Sequence, residues 1–208
     1  MDKRIQALIS SWQKRNIEGI LCADKSAAAK KILDMVPLSS SVGFSGSQTL
    51  EQLGIIKVLA ARGNDVFDPY QADLSREESL NIRRMASEAD FYLTSANAIA
   101  GQGELVFFSG YGYRISGIAS AKNVIVVCGI NKIVSDLEEA LSRSREYVAP
   151  LNCKRLDWNA ACLADGICHK EICLAPDYKR MCCQILIIET EISPQRLKVI
   201  LVSESLGF

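Results

Sequence analysis

An α/β fold with a mainly parallel sheet and helices on both faces is predicted by three observations. Apolar runs of strand length alternate with segments of helical spacing over most of the 208 residues. The strongest run, Val124 to Cys128, is wholly apolar and rich in β-branched residues, as a strand buried on both faces requires. Two S-x-x-E capping boxes, Ser75 with Glu78 and Ser135 with Glu138, open helices between strands.

At the start, Ile5, Leu8, Ile9 and Trp12 fall at i, i+3, i+4 and i+7, which predicts a helix over roughly residues 2 to 16. Ile17 to Cys22 suits a buried strand. Asp24 caps a second helix through Ala27, Ala28, Ile32 and Met35, closed before Pro37. Val42 to Phe44 reads as a strand, and helical spacing returns at Thr49, Leu50 and Leu53 and from Ile55 to Leu59. Asp65 to Asp68 is a short strand, and the helix opened at Ser75 runs to about Glu88. Phe91 to Thr94 is the next strand. Glu104 to Phe108 and Arg114 to Ile118 are expected to pair across the turn at Gly110 and Gly112. After Val124 to Cys128, the helix opened at Ser135 is expected to end near Tyr147. Ile185 to Ile188 and Val199 to Val202 are the last strands. Pro150 to Cys183 has little periodicity and is expected to be an irregular excursion from a single domain spanning residues 1–208.

Composition excludes some classes. With 49% hydrophobic and 23% charged residues, the chain is neither disordered nor fibrous. Its 24 basic residues are balanced by 24 acidic ones, which argues against a nucleic-acid partner. The N-terminal residues lack the apolar core of a signal peptide, and no run is long enough to span a membrane. A cytoplasmic protein without a membrane partner is expected. Eight cysteines in a reducing compartment then read as free thiols or metal ligands.

Two segments suggest a binding site. Ser41 to Leu50 runs from strand to helix through Gly43, Phe44, Ser45, Gly46 and Ser47. Glycines allow close backbone approach, a helix N-terminus favours an anion, and Ser45, Ser47 and Thr49 add hydroxyls. The same residues equally suit a tight turn with a serine cap, and the spacing is neither a Walker loop nor a dinucleotide fingerprint. The second segment holds Asn97, with donors and an acceptor, then Arg114 and, after the strongest strand, Lys132. Loops after different strands of a parallel sheet converge at its carboxyl edge. Gly43, Ser45, Gly46, Ser47, Thr49, Asn97, Arg114 and Lys132 are therefore expected to line one cleft for a small anionic ligand.

The stretches Gly43 to Gly54 (GFSGSQTLEQLG), Ala89 to Ala98 (ADFYLTSANA) and Val124 to Ala140 (VIVVCGINKIVSDLEEA) resemble the lactate-utilisation (LUD) domain family. Arg143, Ala149-Pro150 and the closing Leu206-Gly207-Phe208 extend the resemblance over nearly the whole chain. It implies a fold like that of the isomerase and CoA-transferase superfold, in which a glycine-serine loop binds phosphate-bearing ligands. It also implies an accessory component of a complex that oxidises L-lactate to pyruvate, with iron–sulfur oxidoreductase subunits as partners. The alternative is a small-molecule isomerase or CoA/acyl transferase working at the same loop. The chain departs from the family pattern at Gly112-Tyr113-Arg114 and at Gln102-Gly103, both expected at the pocket.

Six cysteines lie between positions 153 and 183 with the sole histidine, His169. Thiolates are the usual ligands of zinc and iron–sulfur clusters, although no C-x-x-C pair is present. Cys162, Cys168, Cys173 and Cys182 are the best ligand set for zinc or a cluster. Small buried or redox-labile thiols are the other reading.

Overall fold

The computed structural model describes residues 2–208. Helix α1 (Lys3–Lys14) is capped by Asp2, whose carboxylate accepts from the Arg4 N–H, and it buries Leu8 and Trp12. Strand β1 (Ile17–Cys22) leads to helix α2 (Lys25–Met35), where the Asp24 side chain accepts from the Ala27 N–H. Strand β2 (Ser41–Phe44) enters the glycine-serine loop, followed by helices α3 (Gln48–Leu53) and α4 (Ile55–Arg62). After strand β3 (Asp65–Phe67), helix α5 (Arg76–Ser87) opens with both halves of the Ser75–Glu78 capping box in place.

Strands β4 (Phe91–Thr94), β5 (Ala98–Ala100) and β6 (Leu105–Ser109) precede helix α6 (Tyr113–Ser120). Strand β7 (Asn123–Gly129) runs through a 3-10 turn at Ile130–Lys132 into strand β8 (Ile133–Val134). Helix α7 (Leu137–Ser142), a π-helical stretch (Arg143–Val148) and helix α8 (Ala149–Arg155) follow one another directly. Strands β9 (Gln184–Ile188) and β10 (Leu197–Val202) close the order.

Six strands form one sheet in the order β1-β10-β7-β4-β2-β3, every neighbouring pair parallel. Strand alternation divides its side chains between two cores. Val124, Val126 and Cys128 of β7 pack with Leu8 and Trp12 of α1, Ile118 of α6 and Phe107 of β6. Ile125 and Val127 face Ala28 and Ile32 of α2, Leu50 of α3, and Ile55 and Leu59 of α4. Covering both faces explains why β7 reads as an unbroken apolar run.

A second sheet, β8-β5-β6-β9, is mostly antiparallel. Arg114 to Ile118 was expected to pair with β6; instead it lies in α6. β6 takes β9 as its partner, with Leu105 opposite Ile188. Gly117 lets α6 press onto the Tyr92 ring, where an added Cβ would come within 2.2 Å of it. The cap of α7 falls one residue later than expected: Asp136 accepts from the Glu139 N–H, and Glu139 accepts from the Ser135 N–H. The helix expected to end near Tyr147 continues to Arg155. Pro150 has no N–H to donate, and the wider π turn before it accommodates that loss. The irregular segment therefore begins after Arg155, and Cys153 lies in a helix. No helix among the described residues is long and apolar enough to cross a membrane.

Candidate functional site

β10, β7, β4 and β2 are consecutive in the sheet and parallel, so the segments that follow them emerge at one edge. These segments are residues 203–208, Ile130–Lys132, Ser95 to Asn97, and Ser45 to Ser47. With α5, α6 and α8 they enclose a cleft of about 950 Å³. Ser45, Gly46, Ser47, Thr49, Asn97, Arg114 and Lys132 all line it.

Gly43 stands apart from them. It lies within β2, buried beneath α5, where an added Cβ would meet the Ala86 carbonyl oxygen at 2.0 Å. Its role is to let the helix touch the sheet. Gln102 and Gly103 also lie elsewhere: their carbonyls accept from Ser11 Oγ and Trp12 Nε1 and dock α1. Glu104 beside them is paired with Arg15 at 3.1 Å.

The floor of the cleft is a closed polar network. Lys132 is 4% exposed, and its Nζ donates to Thr49 Oγ1 at 3.1 Å, Ser95 Oγ at 2.9 Å and the Ala96 carbonyl at 3.1 Å. No carboxylate pairs with it among the described residues. Burial pushes its pKa down to about 8; Cys128 opposes that fall, and the positive Arg143 and Arg114 nearby add to it. The backbone closes over this group: an added Cβ at Gly207 would lie 2.5 Å from Thr49 Oγ1 and 3.2 Å from Lys132 Nζ.

Arg114, half-buried, ties the walls together. Its Nε donates to Ser45 Oγ at 3.3 Å and Nη2 to the Gly46 carbonyl at 2.8 Å. Its Nη1 donates to Asn97 Oδ1 at 3.3 Å and to the Phe108 carbonyl at 3.0 Å. Burial lowers its pKa, yet a guanidinium stays charged. Asn97 Oδ1 also accepts from the Phe108 N–H at 2.9 Å, whereas Asn97 Nδ2 finds no acceptor among the described residues.

Sequence reasoning missed several contributors. Tyr70 accepts from the Gly46 N–H at 2.6 Å and sits beneath the Arg83 guanidinium at 4.7 Å. Tyr111 meets Trp158 edge to face at 5.8 Å on the rim. Ser95 and Gly207 lay inside stretches noted above but carried no chemical signal of their own. Lys57, Arg76, Arg83, Arg114, Lys132 and Arg155 face the cleft, against only Glu51 and Asp68. Glu51 is itself paired with Arg155 at 3.3 Å. A chain of zero net charge thus concentrates positive charge in one cavity.

Cys162, Cys168, Cys173 and Cys182 line a separate void of about 10 Å³, with Cys153 and His169. Cys153, Cys162 and Cys173 pack with Ala160 and Ala161 as small apolar side chains. Burial raises the pKa of Cys153, Cys162 and Cys168. His169 Nε2 bonds to Asp165 at 2.7 Å. Among the described residues no group of three or more His, Cys, Asp or Glu side chains is placed to hold a metal ion.

The chain is similar in structure to a DUF162 family protein from Deinococcus radiodurans: 15% identity, 96% of this chain and 94% of that one covered, TM-score 0.48. Ribose 5-phosphate isomerase from Plasmodium falciparum is similar at 19% identity, with 53% and 52% covered and a TM-score of 0.34. Ribose 5 phosphate isomerase A from Neisseria gonorrhoeae is similar at 17% identity, with 54% of each chain covered and a TM-score of 0.35. No curated protein matches the sequence. Among family models, that of the LUD domain matches residues 5–202.

Proposed function

Because the chain belongs to the LUD domain family, whose function is related to lactate utilisation, we propose that it is an accessory component of a complex oxidising L-lactate to pyruvate. In this reading it holds an anionic ligand in the cleft, and iron–sulfur oxidoreductase subunits carry the electrons. The observation that supports ligand binding is Lys132: a buried ammonium without a carboxylate partner, beside a second cation, at the floor of an open cavity. A buried charge without a counter-ion is costly, and an anion placed there relieves the cost.

The residues divide the work. Lys132 supplies charge, and the hydroxyls of Thr49 and Ser95 hold its Nζ in place. Arg114 keeps the glycine-serine loop against β6, and its charge adds to the field. Tyr111 and Trp158 form an aromatic edge-to-face pair on the rim.

Size favours a second reading. A cleft of about 950 Å³ exceeds what a three-carbon acid fills and lies at the upper end of the range for sites of drug-sized ligands. An isomerase or a CoA/acyl transferase using a phosphate-bearing ligand at the glycine-serine loop matches that size. Thermal shift against L-lactate, pyruvate, inorganic phosphate and phosphate esters separates the two. Stabilisation by lactate or pyruvate, with co-purification of iron–sulfur subunits from the native cell, supports the first. Stabilisation by phosphate esters alone supports the second, and none by any anion defeats both.

A further inference from the structure

The floor of the cleft contains a pairing that anion binding does not require. Ser95 Oγ lies 2.9 Å from Lys132 Nζ, and both residues face the cavity. A hydroxyl within hydrogen-bond reach of a buried amine is the arrangement that activates a nucleophile, and serine–lysine pairs are one recurrent form of it. Ser95 is 4% exposed, so bulk water does not compete with the amine for its proton. The Ala96 carbonyl and Thr49 Oγ1 fix Nζ from two further directions.

A third group completes the set. Asn97, two residues after Ser95, lines the same cleft with its Nδ2 unspent, while its Oδ1 is held by the Phe108 N–H and Arg114. A side-chain amide fixed in this way is a suitable donor to a developing oxyanion.

We propose that Ser95 is the nucleophile and Lys132 the general base of an acyl-transfer site, acting on an ester or thioester whose leaving group is anionic. The proposal rests on reading the cleft as the site of an anionic ligand, and it adds turnover to that reading. Neutral Lys132 Nζ takes the Ser95 proton as Oγ bonds to the acyl carbon. Asn97 Nδ2 donates to the oxyanion. Collapse breaks the bond to the leaving group, which receives the proton from Lys132. Water or a second nucleophile then displaces the acyl group from Ser95 and restores the hydroxyl. Lys57, Arg76, Arg83 and Arg155 along the cleft favour an anionic leaving group.

The test is covalent labelling with diisopropyl fluorophosphate, in which Oγ bonds to phosphorus and fluoride leaves. Peptide mass mapping should place one adduct on Ser95, and S95A should abolish it. K132R, which keeps charge but not a base near neutrality, should slow labelling about 100-fold or more. The groups facing Lys132 are Cys128 from β7, Arg114 from α6 and Arg143 from the π-helical stretch. The wild-type rate should climb as pH rises through about 8, where the amine loses its proton. That profile decides the matter if K132R does not fold. An adduct on another residue, a flat pH profile, or no adduct at all would overturn the proposal. If adducts are absent while phosphate still raises the melting temperature, acyl transfer alone falls. If phosphate also has no effect, the ligand reading falls with it.

Discussion

The cleft floor and the cysteine segment both drew notice as groups of ligand-type side chains, but the fold treats them oppositely. The cleft is assembled from the ends of four strands distant in sequence, and Lys132, Arg114 and Asn97 are held by hydrogen bonds from several of them. The thiols come from one run of chain, where Cys153 in a helix, Cys162 in a 3-10 turn of helix and Cys173 pack with small alanines. The first arrangement holds a charge that lacks a counter-ion; the second buries small side chains against one another. Residues crowded in sequence and residues gathered from distant strands thus reach proximity by different routes, one through local chain, the other through sheet topology.

That contrast can be broken at its strongest point first. R114A removes a guanidinium that joins the glycine-serine loop to Asn97 and Phe108, and should cost about 3 kcal/mol in denaturant unfolding. A loss below about 1 kcal/mol would show that the walls hold without it. Next, K132M should keep the fold and weaken anion binding about 30-fold by calorimetry, the scale of one charge-assisted contact. Equal affinity in the variant would remove the cationic floor from the argument.

Titration gives a third test, with two opposite trends. The Lys132 pKa is lowered from 10.5 to about 8, so the fold bears the cost of the charge at pH below about 8. Between about 8 and 10.5 the native state has lost the proton while the unfolded chain keeps it, and ligand-free stability from this group rises. Anion affinity should fall over the same range. Parallel trends in the two measurements would mean that another group governs binding.

On the other side of the comparison, C153A should cost about 1 kcal/mol, as loss of a small buried apolar group. Chelation should leave the melting temperature unchanged, and anaerobically purified protein should carry less than one iron or zinc per chain. Stoichiometric metal with acid-labile sulfide would show that the thiols rearrange into a ligand set and would erase the contrast.

Much of the six-strand sheet was legible because burial on both faces leaves a local signature. β1, β4 and β7 appear as apolar runs, and the caps at Asp24 and Ser75 are short-range chemistry. The second sheet was less so. β5 is only three residues long, two of them alanine, β8 is two residues, and β6 chooses a partner from far along the chain. At the cleft, seven of the eight residues expected there do meet, because parallel topology dictates which loops share an edge. Gly43 was misread: close packing against a helix and close approach to a ligand both call for glycine. Tyr70, Arg83 and Trp158 reach the cleft only through tertiary packing, and nothing local marks them.

The order of strands also bears on how the protein is made. β10 lies between β1 and β7 and, among the described residues, is the only sheet partner of β1. On a ribosome, β1 must wait for β10, about 180 residues later, before its backbone is paired. Contacts across so long a separation are slow to form, and unpaired apolar strands invite aggregation meanwhile. The segment after β10 also brings Gly207 over Lys132 and Thr49, so the cleft gains its floor cover only once that late strand is in place. A nascent or truncated chain lacking β10 would thus be open to chaperones and proteases before it could hold any ligand.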